Sequence, residues 1–485
     1  MCRARRGYRR PPLRVLRRLL LFVVLAGVLA GCGASGHPAT TATPTTTPKP
    51  APRPGPNGPP RAISVTVLDG DLLHRVPNAL VRVAGKRKRT NRHGVAALVA
   101  RVRRPLEVTV MRSGYTTLHT TVAFRRRRHP ILRVYQPDLQ WPLYGANDAR
   151  TQAQTHIKLR PPFRVVWSRG LKSLVEFPAS VVDGVAYIGN FHAVVTAISM
   201  RDGKVVWRHI SRGYPGMGSS PEIVGGEVVY HTMDGHVYVL DKENGHLLWS
   251  WDDGGSPIES SPIVRDGVDY FGAWNGEVYA LDLRTHKLRW SHATGAKITS
   301  SASTSGGTLY IGDYAGRLWA LSVGDGATRW VGQVNGKIYG TPAVAGGRVF
   351  VPSSDGDSLT AFSTSGSQLW SYTAGYYVYS SPAVWGGRVF FGSYDGYFYC
   401  VSASNGGLLW RAYAGGPISG AVTVVDGVAY AGSFAHRIIG IEAASGRQLM
   451  TFPHGEFVPV SGNGGRLIFH GYSRIWAVEP RRRRR

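Results

Sequence analysis

Between residues 163 and 480, hydrophobic and polar positions alternate in short runs that glycine turns interrupt. Val268-Asp-Tyr-Phe-Gly272, Glu277-Val-Tyr-Ala-Leu-Asp282 and Lys287-Leu-Arg-Trp290 are three consecutive examples. Alternation at period two marks strands with one face in and one face out. The Asx-Gly pairs Asp234-Gly235, Asn275-Gly276 and Asp395-Gly396 are natural hairpin turns. The whole pattern then recurs. Trp167, Trp207, Trp249, Trp290, Trp330, Trp370 and Trp410 are spaced 40 to 42 residues apart, and Met450 is next in phase. Four strands per period of about 40 residues predict propeller blades. Seven units are complete; the eighth, Phe457–Pro480, has three strands. Phe163-Arg-Val-Val-Trp167 supplies the missing one. The pattern therefore predicts an all-β chain whose residues 140–480 form an eight-bladed β-propeller closed by an N-terminal strand. The tryptophans read as structural wedges between blades.

A second, shorter pattern precedes the repeats. Ile63–Val67, Ala79–Val83, Gly94–Leu98, Leu106–Val110 and Ile131–Val134 are β-rich runs separated by turn signals. Residues 61–139 are read as a small β-sandwich. Arg125–Arg128 suits either a polyanion-binding patch or a solvated hairpin edge that discourages strand addition.

The first 31 residues read as an export signal. Residues 1–18 carry eight arginines and no acid, Leu19–Ala30 are twelve apolar residues, and Leu29-Ala-Gly-Cys32 follows. Twelve residues fall short of the roughly 20 that span a bilayer. The tetrad resembles the lipobox of bacterial lipoproteins, which implies cleavage before Cys32, lipidation of its thiol and an extracytoplasmic, membrane-anchored address. Residues 32–60 are a Pro/Thr-rich tether. With Cys2 lost and Cys32 lipidated, only Cys400 remains, so no internal disulfide is available. Tyr-Cys-Val at 399–401 stands where a sister repeat has Tyr-Ala-Leu at 279–281, so Cys400 reads as a small buried filler.

Two further resemblances concern the folded parts. Asp69-Gly70, Val76-Pro-Asn-Ala-Leu-Val81, the Thr90…Gly94 turn and Ser113-Gly-Tyr115 resemble the carboxypeptidase-regulatory-like fold, whose members are usually spacers or adhesion modules. Gly276-Glu-Val-Tyr-Ala-Leu-Asp282 and Gly396-Tyr-Phe-Tyr-Cys-Val401…Gly406-Gly-Leu-Leu-Trp410 resemble pyrroloquinoline-quinone (PQQ)-type propeller repeats, as does the lead-in Trp141–Asp148. That family contains dehydrogenases, which hold the quinone with Ca²⁺ and a catalytic Asp. It also contains non-enzymatic propellers such as the lipoprotein (BamB-like) subunit of the outer-membrane barrel-assembly machinery. Adjacent cysteines are absent here, and most acids sit in Asx-Gly turns or repeat at the Asp282 position. The chain is therefore read as a non-catalytic interaction or scaffold module of the cell envelope, with no cofactor or metal expected. The alternative is a PQQ-dependent oxidoreductase or a propeller that binds a small ligand in its channel.

Other chemistry leaves no pattern. The 16 histidines form no zinc motif. His231 and His236 straddle one hairpin and read as a surface pair. In a four-stranded meander, the loop entering the first strand and the hairpin between strands two and three share one face. On that face the loops vary: Tyr214–Met217, Pro257–Glu259, Lys297–Thr299, Lys337–Tyr339, Tyr377–Tyr379 and Pro417–Ser419. The opposite face has minimal turns such as Asp183-Gly184 and Gly306-Gly307. Variable aromatic and charged loops on a rigid scaffold are where recognition concentrates, so Lys297, Lys337, Tyr339, Tyr377 and Tyr379 are candidates for binding an envelope protein.

Charge sharpens the division. The chain totals +29, which suggests nucleic acid. By segment, 61–139 carries +13, Arg481–Arg485 +5 and 161–480 only −1. A neutral, monomeric propeller and a basic sandwich and tail exclude a nucleic-acid reading. They point the charge at anionic lipid or wall polymer instead.

Overall fold

A computed structural model describes residues 60–102, 104–211 and 216–481. The export signal, Cys32, all but the last residue of the tether, Tyr214 and Arg482–Arg485 lie outside the described residues. Apart from a 3₁₀ turn at Pro137–Leu139, the described secondary structure is entirely β. No helix among the described residues is long and apolar enough to cross a membrane.

Residues 61–134 form two facing sheets. Arg61–Asp69 pairs antiparallel with Val95–Ala100 and parallel with Ile131–Val134. Leu80–Val83 sits between Lys86–Arg89 and Leu106–Met111, and Leu118–Val122 completes that sheet. Alternate residues point inward: Ile63, Val65, Val67, Val81, Val83, Val108 and Val110 share one core with Phe124. Two strands escape the sequence pattern. Lys86-Arg-Lys-Arg89 has no apolar residue and is exposed throughout. Leu118–Val122 buries only its last residue. The structure also corrects the edge reading of Arg125–Arg128, which lies in the connection between the two sheets. The basic strand that guards an edge is Lys86–Arg89.

Eight further sheets follow. Seven are consecutive meanders, beginning with Ser180–Val182, Glu222–Val224, Ile263–Arg265, Ser303–Ser305, Ala343–Ala345, Ala383–Trp385 and Thr423–Val425. The eighth contains Val460–Gly462, Leu467–His470 and Arg474–Pro480, and its outer strand is Phe163–Gly170, paired from Arg474↔Gly170 to Pro480↔Phe163. The innermost strands of the first and eighth sheets touch.

The repeated tryptophan lies on the outer strand of one sheet and packs on a turn of the next. The indoles of Trp167, Trp207, Trp290, Trp330, Trp370 and Trp410 donate to the carbonyls of Met200, Lys242, Val323, Thr364, Ala403 and Ala443, at 2.9–3.2 Å. Each ring lies flat on a glycine with φ > 0; a Cβ on Gly406 would come within 2.6 Å of the Trp370 ring. The exception explains the rule. Trp249 faces His286, a residue with φ of 59°, and stacks on its imidazole at 4.2 Å.

The lead-in segment was not legible as structure. Residues 141–154 run across the axis, and their carbonyls accept the free N–H groups of the innermost strands. Val181, Ile223, Thr304, Val344, Val384 and Val424 donate to Trp141, Pro142, Asp148, Ala149, Thr151 and Gln152, at 2.7–2.9 Å. Ala153–Gln154 even adds a short parallel strand to the seventh sheet. Inner edges that would otherwise be unpaired are thereby capped.

The sandwich meets the minimal-turn side of this array. Asp71 accepts from Gln140 Nε2 at 2.7 Å and from Asn463 Nδ2 at 2.8 Å. Gln140 in turn accepts the amide of Asp183. Burial, more than the nearby Asp69, pushes the Asp71 carboxyl up to about 7.

Candidate functional site

The variable loops are built on one device. Val175, Ile258, Ile298, Ile338, Val378 and Ile418 are buried at the loop centres. Glycine at the end of strand two makes room for three of them: a Cβ on Gly272, Gly312 or Gly392 would meet Ile298, Ile338 or Ile418 at 2.1–2.3 Å. With the central residue pinned inward, its neighbours diverge. The residue after it turns to the axis, so Glu176, Glu259, Thr299, Tyr339, Tyr379 and Ser419 line a cavity of about 40 Å³ over the lead-in. The residue before it, as at Lys297, Lys337 and Tyr377, stays on the rim.

The five candidates from the sequence thus divide into two environments. Tyr339 and Tyr379 line the cavity, with ring centroids 5.5 Å apart. Tyr339 Oη donates to Glu259 Oε1 at 2.6 Å, and burial, then that carboxylate, raises its pKa far above the usual range. On the rim, Lys337 pairs with Asp355 at 3.1 Å. Lys297 places its ammonium 3.2 Å from the Trp274 ring centroid and 5.0 Å from that of Tyr314. Burial lowers its pKa, and Glu259 partly opposes the shift. Tyr377 stacks on exposed Tyr376 at 4.0 Å. From there an aromatic arc runs through Tyr379, Tyr394, Phe434 and Phe457, with successive centroids 5.0–5.9 Å apart.

Three residues of this mouth escaped sequence reasoning as site residues. Trp274 donates its indole N–H to Glu259 Oε2 at 3.1 Å. Glu259 stood in a recognised variable loop, but nothing in the sequence aims it at the axis. Glu176 belongs to an irregular stretch before the first strand. Its carboxyl is pushed up to about 7, chiefly by burial and then by Glu259.

The lead-in behind Tyr144 carries a buried cation that does not line the cavity. Arg150, fully buried, donates to the carbonyls of Ala302, Tyr144, Ser261 and Pro262. Burial lowers its pKa to about 10, against the pull of Glu222, Tyr144 and Asp269. Tyr144 Oη donates to Ser381 Oγ at 3.0 Å. His231 belongs to this interior, which corrects its reading as half of a surface pair. It is fully buried, with Nδ1 2.6 Å from the Ser260 carbonyl and Nε2 2.8 Å from Asp269. His236 goes elsewhere, stacked on Tyr238 near Asp234 and Asp252. Cys400 is buried between sheets, and burial pushes its thiol up to about 12, which makes it a poor nucleophile.

These residues do not fit a quinone held by Ca²⁺. Pockets for cofactor-sized ligands enclose about 300–1,000 Å³, whereas the axial cavity of about 40 Å³ holds only a few waters. A roomier cleft of about 500 Å³ opens at the rim beside Tyr472 and Trp476, but Glu456 is the one carboxylate among its lining residues. Among the described residues, no three His, Cys, Asp or Glu side chains are placed to hold a metal.

Comparison with solved structures shows the same fold at low identity. The quinohemoprotein alcohol dehydrogenase of Comamonas testosteroni superposes with a TM-score of 0.62 at 14% identity, covering 71% of this chain and 81% of that one. A europium-containing methanol dehydrogenase gives 0.60 at 12%, covering 69% and 90%. The computationally designed protein Ika8 gives 0.57 at 15%, covering 64% and 98%. No curated protein sequence matches the chain. The family described as outer membrane protein assembly factor BamB matches residues 163–304, 275–379 and 373–468, well over half of the chain. The chain is therefore a member of the outer membrane protein assembly factor BamB family of PQQ-type β-propellers.

Proposed function

We propose that the chain is a non-catalytic interaction module of the cell envelope. Its eight sheets act as the blades of a ring closed by Phe163–Gly170, and the variable-loop mouth grips a protein partner. The observation that carries this reading is the filled axis. A lead-in that occupies the channel leaves no room for a cofactor and leaves the mouth as the concave surface available for binding. The aromatic arc supports it, because exposed tyrosine and tryptophan on a rigid frame are the usual anchors of protein interfaces.

The family's role in outer-membrane protein assembly favours an envelope partner. The basic sandwich and the Pro/Thr tether set this chain apart, so the partner is not assumed to be the same. Lipidation at Cys32 would anchor the chain outside the cytoplasm. The +13 of residues 61–139 would then face anionic lipid or wall polymer.

In-situ crosslinking tests the proposal. Tyr376→Ala with Tyr377→Ala should abolish crosslinks made from a photoreactive residue at position 274, with the thermal midpoint unchanged. Retention of every crosslink would defeat the reading. So would quinone-dependent dye reduction by the purified protein.

A further inference from the structure

We infer that the axial cavity is a receptor for one basic side chain, lysine or arginine, presented by the partner. The inference rests on the proposed interaction role and names the chemistry of its central contact.

The cavity is lined by two carboxylates, Glu176 and Glu259, and by no Lys, Arg or His. Nothing in its walls answers their charge directly. Glu259 is bonded by two neutral donors, the Tyr339 hydroxyl and the Trp274 indole. Lys297 lies over the outer rings of Trp274 and Tyr314 and is not among the cavity-lining residues. Among the described residues, Glu176 has neither a hydrogen bond nor an ion pair. A second observation is independent of these acids. Thr299 lines the same cavity at 5% exposure, and its hydroxyl is buried without a hydrogen-bond partner.

Unpaired acceptors in an enclosed site call for a donor. The walls define which donor. Tyr144, Phe177, Tyr379 and Phe457 present aromatic surface, which favours an organic cation over a hard metal ion that needs six or more oxygens. About 40 Å³ admits the head of a side chain and excludes a base, a sugar or a quinone. An ammonium or guanidinium group meets every condition.

Protonation gives the inference a signature. Glu176 faces Glu259 across the cavity, with Tyr339 and Tyr144 as neighbours and Lys297 beyond Glu259. Because its carboxyl titrates at about 7, an incoming cation must displace its proton.

The test is calorimetric titration of the full chain with capped Gly-Lys-Gly, Gly-Arg-Gly and Gly-norleucine-Gly peptides, with Ca²⁺ as a further probe. The lysine or arginine peptide should bind at least tenfold tighter than the norleucine peptide. Its affinity should rise about tenfold from pH 6 to 8, with proton release visible in the buffer dependence of the heat. Glu176→Gln should remove both the preference and the pH dependence while leaving the thermal midpoint in place. Equal binding of norleucine, an unaltered Glu176→Gln profile, or displacement of the peptide by Ca²⁺ would overturn the inference. A pocket that fails with the crosslinks intact refutes only this contact. A pocket that succeeds without crosslinks refutes the partner.

Discussion

The two ends of the axis are made from the same repeat and finished in opposite ways. On the lead-in side, the carbonyls of residues 141–152 cap the innermost strands, Arg150 spends its guanidinium on four backbone carbonyls, and Gln140 ties in both Asp71 and Asp183. At the mouth, Glu176 and the Thr299 hydroxyl lack hydrogen-bond partners, Glu259 has only neutral donors, and a run of aromatic rings lies beside them. Folding alone explains the first end, where most polar groups are paired to limit the cost of burial, the Trp141 indole and the Gln152 amide excepted. The second end leaves polar groups for something else to satisfy. Stability is thus concentrated on one side, and the proposed recognition on the other.

The largest expected effect breaks the sealed end. Replacing Arg150 by Met removes a buried cation, leaves four backbone carbonyls without their donor and takes a favourable charge from Glu222 and Asp269, which keep Arg265 and His231 as partners. The loss should be about 3–5 kcal/mol in urea unfolding. Burial already pushes Glu222 up to about 8, so adding Glu222→Gln should recover part of the loss. A cost below about 1 kcal/mol would mean that the lead-in, rather than its arginine, carries the seal.

A second pair of variants weighs the sheet-to-sheet wedges. Gly406 and Gly387 both have φ of +74°, but only Gly406 lies under an indole. Gly387→Ala should cost about 1–2 kcal/mol for the left-handed backbone alone. Gly406→Ala should add about 1–3 kcal/mol of overpacking against Trp370. Equal thermal shifts would show that the tryptophan yields.

The third concerns the junction with the sandwich. Asp71 titrates at about 7 in the folded chain against 3.8 in the free side chain. Its contribution to docking is therefore complete below pH 4, fades as pH rises through 7 and is flat beyond. Local undocking caps the effect at about 1–2 kcal/mol. Comparing hydrogen exchange of the wild type with Asp71→Asn between pH 5 and 8 isolates it, because Glu176 and Glu222 titrate in the same direction in both proteins. A wild-type slope no steeper than that of the variant would remove Asp71 from the junction.

What the sequence disclosed follows from how each part is held. Blades were readable because their strands alternate, their hairpins need Asx-Gly, and one tryptophan recurs where it must cover a glycine of the next sheet. The displaced strand at Phe163 was readable for the same reason: the eighth unit was one strand short. The lead-in was not, because its backbone carbonyls and the buried Arg150 place it through partners distant in sequence, with no alternation to betray them. Lys86–Arg89 was missed since an exposed edge strand needs no apolar face. His231 was misplaced because its partner Asp269 belongs to the next repeat, at a distance no hairpin argument reaches. The mouth was half legible: the loops were recognised, but which side chain of each turns inward depends on the buried isoleucine at its centre.

That last point yields the smallest and most discriminating effect. Lys337 and Tyr339 flank Ile338, yet one is on the rim and the other in the cavity. The Lys337–Asp355 pair is 53% and 37% exposed, so Lys337→Ala should change stability by no more than about 0.5 kcal/mol. It should nevertheless leave Asp355 unanswered beside an acidic mouth. Affinity for a lysine peptide should then rise about two- to threefold at low ionic strength, and the gain should vanish in 1 M salt, where the screening length falls to about 3 Å. Tyr339→Phe should behave in the opposite way. It removes a donor from Glu259 inside the cavity, where salt screens little, so its effect on the peptide should persist in 1 M salt. If both variants lost their effect together as salt is added, rim and cavity would be one electrostatic surface, and the division made by the buried isoleucine would have no functional meaning.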